Sequence, residues 1–74
     1  MAKHDGFTKI SSGHIDGCKY SSANRKLTIR FQNGYHYVAH GVSPEAYQAF
    51  IEAPSQGEHW HANIKDQYQI ARVK

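Results

Sequence analysis

At 74 residues the chain has room for one domain, and a chain this short buries only about 60% of the surface that its unfolded form exposes. Five Tyr, three Phe and one Trp with a formal charge of only +3 exclude a disordered chain. A single cysteine, Cys18, excludes an internal disulfide and a cysteine-rich zinc site.

Residues 1–9 are polar and read as a flexible segment ahead of one domain over 10–74. The opening residues lack the apolar stretch of a signal peptide, and no run approaches the roughly 18 apolar residues of a membrane span. With a lone thiol suited to a reducing compartment, a cytoplasmic protein is expected. Ile15 to Tyr20 reads as a first strand, with Cys18 and Tyr20 on one face. A polar turn over residues 20–25 leads to the clearest strand, Leu27 to Gln32, in which Leu27, Ile29 and Phe31 alternate with Thr28, Arg30 and Gln32.

Asn33-Gly34 then signals a hairpin, since both residues tolerate positive φ in a two-residue type I′ turn. That loop pairs Phe31 with His36, Arg30 with Tyr37 and Ile29 with Val38 along a returning strand from Tyr35 to His40. It sets Thr28, Arg30, Gln32, Tyr35 and Tyr37 on the face turned away from the core. Ser43 and Pro44 have the chemistry of a helix N-cap and first position, Ala46, Tyr47, Phe50 and Ile51 form the apolar stripe, and Pro54 ends the helix. Ser55 and Glu58 have capping-box spacing for a second helix, whose Trp60 and Ile64 face the sheet one turn apart. Tyr68 to Val73 has the composition of a short fourth strand. The expected architecture is α+β: a three-stranded antiparallel meander, with room for that fourth C-terminal strand, and two helices on one face.

Charge is unevenly spread. Residues 19–40 carry Lys19, Arg25, Lys26 and Arg30 and no acid, whereas residues 43–66 carry Glu45, Glu52, Glu58 and Asp66 against Lys65 alone, which predicts a polarised molecule. Cations attract phosphate and tyrosine faces stack on unpaired bases, so a hairpin face with both has the makings of a nucleic-acid surface. Arg30 opposite Tyr37 is equally an ordinary cross-strand pair on an exposed sheet. The histidines do not converge: His36 and His40 lie about 13 Å apart along a strand, and His59 and His61 point to different sides of a helix. No metal or cofactor is expected. Cys18, on the core face, reads as a buried and inert thiol, and no acid–base or nucleophile pair emerges.

Ser11-Ser12, Ile15, Tyr20, Leu27-x-Ile29-x-Phe31-x-Asn33-Gly34, Val42, Tyr47, Ala53-Pro54-Ser55-Gln56-Gly57, Ile64 and Tyr68 form an ordered set over most of the chain. The set resembles the KTSC domain, a short module found at the C-terminus of some lysyl-tRNA synthetases and as small bacterial proteins. The family's central Tyr-x-Tyr motif has a literal copy at Tyr35 and Tyr37, while gap-free spacing puts Tyr37 and Ala39 at its two positions. Attachment to a tRNA synthetase implies RNA as a partner. The expectation is a non-enzymatic module that binds RNA or single-stranded nucleic acid through Arg30, Tyr37 and Tyr35, with Lys19, Arg25 and Lys26 on phosphates. The alternative is an adaptor, without catalytic activity, for a protein or a small nucleotide.

Overall fold

Leu27, Ile29 and Phe31, alternating with Lys26, Thr28 and Arg30, build the central strand of an antiparallel sheet. The computed structural model describes residues 7–73. Five strands, β1 (Thr8–Ser12), β2 (Ile15–Ser21), β3 (Lys26–Phe31), β4 (His36–His40) and β5 (Gln69–Arg72), lie side by side in chain order. Between β4 and β5 run α1 (Pro44–Glu52) and α2 (Gln56–His59), the latter continuing into a π-helical segment, Trp60–Ile64. The expected meander is therefore extended at both edges. The C-terminal strand is present, and the segment read as flexible contributes Thr8 and Lys9 to β1; residues 1–6 of that segment lie outside the described residues.

The hairpin joining β3 to β4 differs from the expected one by a single residue. Lys26 lies opposite His40, Ile29 opposite Tyr37 and Arg30 opposite His36. The Gly34 amide donates to the Phe31 carbonyl and the Phe31 amide to the Tyr35 carbonyl, both at 2.9 Å. Gly34 has φ +91°, whereas Asn33 is not among the positive-φ residues. This is a three-residue loop, Gln32-Asn33-Gly34: a type I turn closed by a glycine bulge rather than a type I′ turn. Asn33 Oδ1 accepts the Tyr35 amide at 3.0 Å and braces it.

Because side chains alternate along a strand, the slip turns all of β4 over. Tyr37 and Ala39 go to the core side, and Val38, expected inward, stands on the outer face opposite Thr28 and Ala71. Val38 is 9% exposed yet lies outside the core cluster. That cluster joins Ile15, Cys18, Leu27, Ile29 and Ala39 of the sheet to Phe50, Trp60 and Ile64 of the helical layer.

The helices form for the reasons read in the sequence. Ser43 Oγ accepts the Ala46 amide at 3.1 Å, Pro44 opens α1, and Ala53, ahead of Pro54, is extended as a residue before proline must be. Ser55 Oγ accepts the Glu58 amide at 3.3 Å. The Lys65 amide reaches back five residues to the Trp60 carbonyl at 2.7 Å, the wide turn that defines the π segment. Trp60 is 2% exposed and Ile64 is buried, so both face the sheet as expected. Tyr20 and Tyr47 stack at 4.4 Å, and Tyr20 donates to the Val42 carbonyl at 2.6 Å, which ties α1 to β2. Among the described residues no helix is long and apolar enough to cross a membrane.

Candidate nucleic-acid interface

With both helices on the core side, the opposite face of the sheet belongs to long polar side chains. Lys19 stands opposite Thr28, Gly17 opposite Arg30 and Lys26 opposite Ser21. Lys9 of β1 joins them across Gly17. A bulge between Ile15 and Gly17 sets Asp16 among these cations, where its carboxylate accepts from Arg30 Nε at 2.7 Å and lies 3.6 Å from Lys9 Nζ. Arg30 and Asp16 are both part-exposed, and Lys9 is largely free in solvent.

Gly17 has no side chain, and this lets Phe7 and Arg30 close over it. A Cβ there would meet the Thr8 carbonyl oxygen at 3.0 Å and Arg30 Nη2 at 3.2 Å. The Phe7 ring lies 4.4 Å from the Arg30 guanidinium and 5.0 Å from Lys19 Nζ, with His36 at 5.5 Å. Each such cation–π contact contributes about 0.5–1 kcal/mol at exposed sites, enough to pin the cations without neutralising them. Beside them, Lys19 and Lys26 flank an open groove of about 510 Å³ floored by Ser21, Ser22 and Thr28.

The polarity expected from the sequence becomes a polarity of layers. Asp16 is the one carboxylate in the five strands, against Lys9, Lys19, Lys26, Arg30 and Arg72. The helical segments carry Glu45, Glu52 and Glu58 and no Lys or Arg. The outer sheet face is cationic and the helical segments are acidic, while Arg72 stands on the core side with Tyr37.

The structure divides the sequence-predicted site. Arg30, Lys26 and Lys19 share the outer face, but Tyr35 and Tyr37 stand on the other side, so the single basic and aromatic stripe does not exist. Tyr37 meets Phe31 edge-on at 5.5 Å, and Tyr35, 44% exposed, carries the Arg72 guanidinium 4.5 Å from its ring. Arg25 sits in the β2–β3 turn with φ +54°, and its carbonyl accepts the Gly41 and Val42 amides at 2.9 Å each. Its backbone holds the turn while its side chain is exposed beside Lys26. Phe7, Lys9 and Asp16 belong to the cationic face and were missed. The Ser12-Gly13 dipeptide was the available signal, for it marks the turn that folds β1 back on β2.

Burial pushes the Cys18 thiol above its ordinary value, with Tyr47 Oη 4.0 Å from its sulfur. Burial, with Cys18 beside it, pushes the Tyr47 hydroxyl up to about 12. A hollow of about 600 Å³ opens to solvent between the β1–β2 turn and α2 and is lined in part by His14, Glu58 and His61. No group of His, Cys, Asp and Glu among the described residues is placed to hold a metal ion.

Three comparisons bear on this geometry. The family model of the KTSC domain matches residues 11–68. An uncharacterized protein of Stutzerimonas stutzeri (strain A1501) is 30% identical over 59 residues, 80% of this chain and 83% of that protein. The crystal structure of a KTSC domain protein from Yersinia pestis superposes with a TM-score of 0.84 at 30% identity, over 92% of this chain and 96% of the other.

Proposed function

This chain belongs to the KTSC domain family, and from the charge of its outer sheet face we propose that it is a non-enzymatic module that binds single-stranded RNA. The observation that carries the reading is the separation of charge by layer: a face bearing Lys9, Lys19, Lys26 and Arg30 around one carboxylate, with no helix on it among the described residues, backed by an acidic helical layer. A polyanion approaching such a molecule is drawn to the outer sheet face and away from the glutamates of the helices. The groove between Lys19 and Lys26, with serine and threonine hydroxyls on its floor, has the composition that binds phosphate. Phosphate recognition positions a strand without reading its sequence, so the module binds mixed sequences alike.

Titrating labelled, mixed-sequence single-stranded RNA at several salt concentrations tests this. Wild type binds at low salt and loses affinity steeply as salt rises. The Lys19→Ala/Lys26→Ala variant binds more weakly with a shallower slope, by about 0.7 in the log–log plot for each phosphate that is no longer neutralised. Absence of binding by wild type at low salt rejects the proposal and leaves the face to a protein partner.

A further inference from the structure

On the core side of the sheet, at the tip of the β3–β4 hairpin, a cavity of about 220 Å³ opens between the sheet and the π segment. Its walls include Phe31, Tyr35, Tyr37 and Trp60, with Lys65 at its edge. The volume lies below the range of about 300–1,000 Å³ usual for drug-sized ligands, so the cavity accepts one flat ring system and little more. Phe31 is the pivot of the wall: Tyr37 meets it edge-on at 81° and Trp60 at 69°, an interlocked set whose remaining faces suit a planar guest.

The polar groups around this cavity include several donors, Lys65 and Asn33 among them, beside His61 and the two tyrosine hydroxyls, which can donate or accept. Lys65 is exposed, and the π turn that carries its amide to the Trp60 carbonyl sets it one wide turn beyond Trp60. Arg72 lies over Tyr35, held at the same side of the sheet by pairing with Tyr37. Asn33 uses its Oδ1 on the Tyr35 amide, which leaves its NH2 for a guest. Among the described residues no Asp or Glu lines the cavity. Aromatic walls, cationic neighbours and the absence of a lining carboxylate select a flat ring that carries negative charge.

We propose that this cavity is a binding site for one nucleotide, its base stacked among Tyr35, Tyr37 and Phe31 and its phosphate met by Lys65 and Arg72. The site faces away from Lys19 and Lys26 and does not depend on the sheet-face reading. The same chemistry is offered by a free mononucleotide and by one nucleotide of an RNA strand.

Trp60 is the one tryptophan of the chain, so its indole N–H gives a single resonance at the cavity wall. Adenosine monophosphate is expected to shift it saturably, with adenosine and inorganic phosphate each binding at least about tenfold more weakly. Tyr35→Ala, at a half-exposed position, lowers the affinity for the monophosphate about five- to hundredfold. Lys65→Gln brings the monophosphate down to the level of adenosine, and Lys19→Ala/Lys26→Ala leaves it unchanged. A five-nucleotide RNA that shifts the same resonance more tightly than the monophosphate identifies a strand as the source; a shift by the monophosphate alone identifies the free nucleotide. The proposal is overturned if the monophosphate gives no saturable shift, if adenosine or phosphate alone binds as tightly, or if neither Tyr35→Ala nor Lys65→Gln weakens it.

Discussion

Gly34 decides which side of the sheet receives Tyr37, and its backbone makes the decision testable. At φ +91° it lies where L-residues are strained, yet a Cβ built on it meets nothing within 4 Å. Gly34→Ala therefore adds no clash, only the conformational cost of a left-handed L-residue, about 1–2 kcal/mol. Against this, alanine restricts the unfolded chain and returns about 0.4–1 kcal/mol. The net loss is roughly 1 kcal/mol, or about 4–8 °C in Tm for a domain of this size. D-alanine prefers positive φ, so Gly34→D-alanine escapes the first effect, keeps the second and raises Tm. A synthetic chain joined at Cys18 gives access to both variants, and thermal unfolding followed by circular dichroism reads them. If the two enantiomers shift Tm in the same direction, position 34 is not left-handed and the three-residue loop is wrong. Cross-strand NMR signals between Ile29 and Tyr37 check the register independently.

Trp60→Ala, which removes a side chain 2% exposed, is expected to cost about 3–5 kcal/mol and leave the domain close to its unfolding threshold, seen as a collapsed denaturant midpoint. Alkali should destabilise the fold: Cys18 and Tyr47 have raised pKa values, so the stability they contribute is complete below pH 9.0 and is lost as pH rises through the thiol's raised value and then about 12. Tyr47→Phe should flatten the upper part of that fall in melts recorded between pH 8 and 11. Asp16→Asn removes the carboxylate that holds Arg30 and Lys9, and RNA affinity should rise several-fold at low salt, with the gain vanishing at high salt. An unchanged affinity at low salt would show that the strand does not pass over Arg30.

Where local chemistry decides structure, the sequence was legible: the Ser43 cap, the Pro44 start, the alternation of β3 and the inward face of Trp60 and Ile64 all appear as read. The register was not, because Asn-Gly serves two loops equally well. A type I′ turn needs positive φ at both residues and a bulged type I turn needs it at the glycine alone. What separates them is burial far from the turn: only the observed register lets Tyr37 join Phe31 and Ile70 against Trp60. The first strand escaped notice for another reason. Thr-Lys-Ile-Ser-Ser shows almost no apolar pattern, with Ile10 its single apolar residue, so β1 is held largely by backbone bonds that any sequence can make. The site was half legible in consequence. Its cations could be named from charge alone, but assigning tyrosines to their face required a register that one residue reverses.

The order of the strands in the sheet, identical to their order in the chain, also shapes how the molecule assembles. Three of the four ladders close over tight turns, and such local pairings form early because little loop entropy is lost. The fourth is different: β5 reaches β4 only after the whole helical segment has been laid down. Strands β1 to β4 thus make a nucleus to which the helices and β5 dock last. In native-state hydrogen exchange, amides of β5 are therefore expected to open by a lower-energy excursion than those of β3, which should exchange only through global unfolding. The lining of the aromatic cavity includes Ile70 of β5, so an excursion that opens β5 is expected to open the cavity with it.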